Sequence, residues 1–216
     1  MVKVKICGLT SPEDAKMARD LGADLVGVIV NVTVSTPREI SSGKAEDILD
    51  SVRDQADTVV VTMPETLEEV NNLADRLDPD YLQIHSSLSP SKLLQIKRET
   101  GRKIIGVLSI PQNPNNSGDV ISRAKEIEEV SDFVLLDTKS NGGGGTGKSH
   151  DWSMSSVINE GLNTPIILAG GLNPSNVQRA LEKVNPFGVD VSSGVETEPG
   201  KKDPDLLKEF IEKAGE

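Results

Sequence analysis

Two side chains stand out for the runs that they close. Cys7 ends Lys3-Val4-Lys5-Ile6 and is followed by Gly8; Asp137 ends Phe133-Val134-Leu135-Leu136. A thiol becomes a nucleophile or base once ionised. A carboxyl group partly buried behind aliphatic residues has its pKa raised toward the range useful for acid work. Each has a plain structural reading beside the chemical one. A lone cysteine is usually a small buried hydrophobe, and an aspartate after a strand often caps a helix or orders a loop. His85 closes a third run, as a substrate contact or as a satisfied structural histidine. Two glycine-rich turns, Gly170-Gly171 and Ser192-Ser193-Gly194, offer bare backbone N–H groups to an anion such as phosphate, where a side chain would block close approach.

The elements that must hold these groups are short apolar runs alternating with amphipathic helical segments. The runs fall at 2–7, 24–30, 58–63, 81–85, 103–109, 132–137, 165–169 and 187–191. Brief continuous hydrophobic runs fit strands covered on both faces, as in a parallel sheet. Ser11-Pro12-Glu13-Asp14, Ser89-Pro90-Ser91, Asn173-Pro174-Ser175-Asn176 and Asp203-Pro204-Asp205 each place a capping residue before a proline at a helix start. Gly22 and Gly101 stand where left-handed residues end helices. Eight βα units predict an α/β chain folded as a single (β/α)₈ barrel domain over 1–216; an open doubly wound sheet is the competitor. In such a barrel the active site lies at the C-terminal ends of the strands. Cys7, His85 and Asp137 then share one face with the two glycine turns; that position favours function over the structural readings for Cys7 and Asp137 and leaves both readings of His85 open.

The segment Gly142-Gly143-Gly144-Gly145-Thr146-Gly147-Lys148-Ser149 matches the nucleotide-binding pattern G-x-x-x-x-G-K-[ST]. That loop must leave its strand directly and follow the first strand of its fold. Here four residues separate it from Asp137, and five βα units precede it. It reads instead as a glycine-rich lid, with Lys148 a solvated charge.

The bulk numbers exclude several classes. A formal net charge of −11, without a basic stripe, argues against nucleic acid and anionic membranes as partners. No apolar stretch is long enough for a membrane span. The first residues read as a strand rather than a leader, so a cytoplasmic location is expected. One cysteine makes no internal disulfide, and two distant histidines, His85 and His150, make no metal cluster by spacing. No metal and no cofactor are expected. Aromatic residues are only 2% of the chain, so the core must be aliphatic.

In order along the chain, Lys5-Ile6-Cys7-Gly8, Ser35-Thr36-Pro37-Arg38, Gln83-Ile84-His85, Leu135-Leu136-Asp137-Thr138, Gly145-Thr146-Gly147-Lys148 with Asp151-Trp152, Ala169-Gly170-Gly171-Leu172-Asn173-Pro174 and Val189-Asp190-Val191-Ser192-Ser193-Gly194-Val195-Glu196 resemble the phosphoribosylanthranilate isomerases. Pro199-Gly200-Lys201-Lys202-Asp203 extends the match. The resemblance implies a cofactor-free Amadori rearrangement of a phosphosugar, an aldose-to-ketose step of tryptophan biosynthesis. It makes Asp137 the general acid and Cys7 the general base. Arg38 would anchor the anthranilate end, although an arginine in a proline-containing loop is ordinarily just exposed. His85 and Asp190 would touch substrate, while Gly170, Gly171, Ser192, Ser193 and Gly194 would hold the phosphate. Three places depart from the family pattern: Asn31-Val32-Thr33-Val34, where an aromatic residue and a lysine are common; Ser86, where glycine is usual; and His150, where an aromatic residue precedes Asp-Trp. Other phosphosugar barrels, including a ribotide isomerase with aspartates in both roles, and a non-catalytic phosphate-binding barrel are the alternatives. The chain is expected to be a monomer or a homodimer.

Overall fold

The structure, a computed structural model, describes residues 1–85, 88–111, 117–138 and 151–215. Eight parallel strands follow one another round a closed barrel: β1 (Lys3–Ile6), β2 (Leu25–Ile29), β3 (Asp57–Thr62), β4 (Tyr81–Ile84), β5 (Lys103–Ile110), β6 (Phe133–Thr138), β7 (Ile166–Leu168) and β8 (Gly188–Val191). The ring closes where β8 pairs with β1, with Lys5 opposite Asp190 and Ile6 opposite Val191. Each of the eight runs read from the sequence carries one of these strands. Helices α1 (Pro12–Asp20), α2 (Ser42–Asp50), α3 (Leu67–Leu77), α4 (Pro90–Thr100), α5 (Ser117–Glu128), α6 (Trp152–Gly161), α7 (Val177–Val184) and α8 (Pro204–Gly215) complete the (β/α)₈ barrel.

Most helix boundaries form as their residues dictate. The Ser11 hydroxyl accepts the Asp14 N–H at 3.1 Å, and the Asp203 carboxylate accepts those of Asp205 and Leu206 at 2.9 and 3.0 Å. Gly22 and Gly101 take φ of +106° and +66°. At Ser89 the helix starts as expected, but the hydroxyl pairs with that of Ser91 at 2.9 Å rather than with backbone. At Asn173 the expectation is corrected, because α7 begins only at Val177. Asn173 Oδ1 accepts the Ser175 N–H at 2.8 Å and Asn176 Oδ1 accepts the Asn173 N–H at 2.9 Å. This reciprocal pair holds a separate turn ahead of the helix.

Alternation of side chains along each strand divides the core in two. Residues facing inward, among them Leu25, Val59, Val61, Tyr81, Ile105, Leu135, Ile167 and Ala169, fill the barrel beneath Cys7. Residues facing outward, such as Val4, Ile6, Val26, Val60, Leu82 and Leu136, pack against the helices. One element has no counterpart in the sequence reading. After a 3₁₀ turn at Ser193–Val195, an antiparallel hairpin of β9 (Glu196–Glu198) and β10 (Lys201–Lys202) folds over the first βα loop. The Thr10 hydroxyl donates to the Gly200 carbonyl at 2.6 Å, and the Lys202 N–H donates to Asp14 at 3.1 Å. Strands of three and two residues are too short to leave a periodic signal.

The glycine-rich segment read as a lid, its Lys148, and Ser86 and His150 lie outside the described residues. Among the described residues, no helix is long and apolar enough to cross a membrane.

Candidate active site

A cavity of about 340 Å³ opens at the C-terminal ends of the strands. All ten residues expected to form the site line it: Cys7, Arg38, His85, Asp137, Gly170, Gly171, Asp190, Ser192, Ser193 and Gly194. Strand ends deliver the acid–base candidates, and loops deliver the rest. Ile29, Val32, Val34, Val61 and Met63 form an apolar wall. Val32 and Val34 belong to the stretch that departs from the family pattern, so that departure faces the cavity.

Asp137 is held by its own strand end, where its Oδ1 accepts the Thr138 N–H at 2.8 Å. Burial first, and the Asp190 charge second, raise its pKa to about 6, against the opposing pulls of that hydrogen bond and Lys5. His85 Nε2 lies 4.0 Å from Asp137 Oδ2, beyond hydrogen-bond reach. Burial and the nearby Lys5 ammonium lower the imidazole pKa, so near neutrality this is a neutral ring beside a carboxyl group rather than an ion pair.

Cys7 is 6% exposed. Burial pushes its thiol up and Asp190 adds to the rise, while the cations of Lys5 and Lys202 oppose both. Gly8 must follow it. Its φ is +70°, and a Cβ there would come within 2.7 Å of both Arg38 Cδ and Ser192 Oγ. The tight turn after β1 thus brings Cys7, Arg38 and Ser192 together.

Arg38 is buried, unlike an ordinary loop arginine. Its Nε and Nη2 donate to Glu196 Oε1 and Oε2 at 2.8 and 2.6 Å, a side-on pairing that leaves Nη1 uncommitted to the carboxylate. Glu196 also accepts from Lys202 Nζ at 2.9 Å. Lys202 is fully enclosed and donates further to the carbonyls of Cys7 and Ser192 at 2.7 and 3.1 Å. Burial pushes the Glu196 carboxyl up, but Arg38 and Lys202 together hold it below its ordinary range. Burial keeps the Lys202 ammonium below the lysine range despite Glu196.

The glycine turns are constrained by packing before any anion arrives. Gly170 has φ +87°, and a Cβ there would lie 2.6 Å from the Thr138 backbone nitrogen; one on Gly194 would collide with the Leu172 carbonyl. Packing therefore requires glycine at these positions, in addition to the expected need to admit an anion. These residues also let the turn after β7 touch both β6 and the turn after β8. Ser192 Oγ, in the cavity lining, is buried and has no hydrogen-bond partner among the described residues.

Lys5, Glu196 and Lys202 were not singled out as site residues from the sequence. Lys5 had a signal: it lies two positions before Cys7 on the same strand, and so faces the same side. The other two depend on the unforeseen hairpin.

A closed (β/α)₈ barrel with a thiol, a carboxylic acid and two glycine turns around one cavity defines a phosphosugar-barrel type of enzyme. Residues 4–213 match the family described as N-(5'phosphoribosyl)anthranilate (PRA) isomerase, and the chain belongs to that family. Relatives of that name from Haloarcula marismortui and Methanopyrus kandleri are 41% and 42% identical, covering 99% and 98% of this chain and 96% and 97% of theirs. A solved phosphoribosyl anthranilate isomerase in complex with reduced 1-(o-carboxyphenylamino)-1-deoxyribulose 5-phosphate is 33% identical. It superposes with a TM-score of 0.82, over 100% of this chain and 99% of that one.

Proposed function

We propose that the protein isomerises N-(5'-phosphoribosyl)anthranilate to 1-(2-carboxyphenylamino)-1-deoxyribulose 5-phosphate by an Amadori rearrangement in tryptophan biosynthesis. The observation that carries the reading is the meeting, in one cavity, of a thiol at the end of β1 and a carboxyl of raised pKa on β6. Family membership narrows the substrate. In its protonated form Asp137 donates to the furanose ring oxygen; the C1'–O bond breaks as the anilino nitrogen lone pair forms the iminium. The ionised Cys7 removes the C2' proton, and the released pair moves to the iminium and gives the enolamine, which tautomerises to the ketose. No electron acceptor is consumed. The iminium acidifies the C2' proton, so a thiol that is mainly protonated near neutrality still suffices as base.

The remaining contacts follow the chemistry of the substrate. The apolar wall of Ile29, Val32, Val34 and Val61 suits an aryl ring, and the uncommitted edge of Arg38 suits its carboxylate. The turns at Gly170-Gly171 and Ser192-Ser193-Gly194 suit the phosphate. His85 and Asp190, which line the same cavity, are assigned to the ribose.

The test is a fluorescence assay in which phosphoribosylanthranilate is generated in situ and loss of its emission is followed after adding protein. Enzyme-dependent decay is expected, and Asp137→Asn lowers kcat by about 10²–10⁴-fold with little change in KM. Absence of decay with folded parent protein would reject the activity.

A further inference from the structure

Lys5 is 1% exposed and its ammonium group lies inside the barrel. Burying an unpaired ammonium is costly, so its position needs a partner. The register of β1 against β8 supplies one: Lys5 faces Asp190 directly, with Nζ 2.8 Å from Oδ1. The same ammonium stands beside the base candidate. A Cβ added at Gly27 of β2 would lie 3.3 Å from both Lys5 Nζ and Cys7 Sγ, so the bare backbone of Gly27 leaves the space into which both groups point. Asp190 has only one carboxylate, whereas the ammonium has three donors. One of them meets Asp190, and others remain for the sulfur.

We propose that Lys5 is a positioning residue for the isomerisation, its Asp190-tethered ammonium serving as the counter-cation of the Cys7 thiolate as the C2' proton is taken. This rests on the reading of Cys7 as the base. Among the described residues, the groups facing Cys7 leave that part to Lys5. β2 offers no titratable side chain. From β10, Lys202 is committed to the Cys7 and Ser192 carbonyls and to Glu196. From the loop after β2, Arg38 is committed to Glu196. Across the cavity, Asp137 and His85 supply no cation near neutrality. Asp190 raises the thiol pKa and Lys5 lowers it, so the two partners of one ion pair pull the sulfur in opposite directions.

Cys7 is the only cysteine, so the pH dependence of its alkylation by iodoacetamide reports this thiol alone. Lys5→Met is expected to move the alkylation midpoint upward by about one unit, a roughly tenfold loss of rate at pH 7.5. Asp190→Asn is expected to move it down. Lys5→Met/Asp190→Asn, which leaves no unpaired charge should the single variant fail to fold, is expected to fall between Lys5→Met and the parent. In parallel, kcat of Lys5→Met falls with KM nearly unchanged. Midpoints that coincide in folded parent and double variant, with no opposite shifts in the single variants, would overturn the proposal. A raised midpoint with an unchanged kcat would instead reject Cys7 as the base, and with it the role of Lys5 in turnover.

Discussion

The two ends of the barrel interior are built from the same eight strands and the same alternation, yet they hold opposite chemistry. At the N-terminal end, Tyr81, Phe133 and Phe187 form a row, with ring centroids 5.4 and 5.2 Å apart, and Tyr81 and Phe133 share a cluster with Leu25, Val59, Ile105 and Ile167. At the C-terminal end, moving one or two inward positions along the barrel strands reaches Lys5 on β1 and Cys7 just beyond it, Gln83 on β4 and His85 just beyond it, Asp137 on β6 and Asp190 on β8. The lower end gains from removing apolar surface from water. The upper end accepts a desolvation cost that ion pairs only partly offset, and in return holds Cys7, His85 and Asp137 with shifted pKa values. Stability and chemistry are separated along the barrel axis by four residues of strand, from Phe133 to Asp137 and from Tyr81 to His85.

That contrast can be broken at several points. The largest effect is expected from Glu196→Gln, which leaves Arg38 and the enclosed Lys202 without their shared carboxylate. Unfolding in urea should show a loss of about 3 kcal/mol. KM should rise more than kcat falls, because Arg38 loses its tether.

Next is the pH dependence of stability in Asp137→Asn. Asp137 titrates at about 6 in the folded protein and near 3.9 when unfolded. The folded state therefore holds the proton more tightly. Its stabilising contribution is complete below about 3.9 and is lost as pH rises through about 6. The asparagine variant, which carries no such charge, should gain about 2–3 kcal/mol relative to the parent between pH 4 and pH 8. Thermal melts at the two pH values would reveal it; equal differences at both would show that Asp137 is not perturbed. The smallest effect is expected at the other end. Phe187 is 41% exposed, so Phe187→Ser should cost about 1 kcal/mol in the same melts and leave kcat and KM unchanged.

How much of this was legible follows from the range of each interaction. The strands were readable because each is a continuous apolar run, and helix starts such as Ser11 and Asp203 because the capping residue is local. Cys7, His85 and Asp137 were readable as residues that close apolar runs. Lys5 was readable in principle from its spacing to Cys7, but a lysine inside an apolar run reads as the edge of a strand until its partner is known. Glu196 and Lys202 were not, since they act on Arg38 and Cys7 across 158 and 195 residues of chain. They reach those partners through a hairpin that no pattern announces. The turn at Asn173 failed for a related reason: one asparagine resembles a helix cap until a second, Asn176, reaches back to it.

The most direct test of the whole account is steady-state turnover of Cys7→Ala, alongside a thermal melt that confirms folding. If the Cys7 thiol removes the C2' proton, kcat falls by about 10²–10⁴-fold while Tm stays within a few degrees of the parent. Near-parental kcat in the folded variant would contradict it, and would move the base to another group lining the cavity.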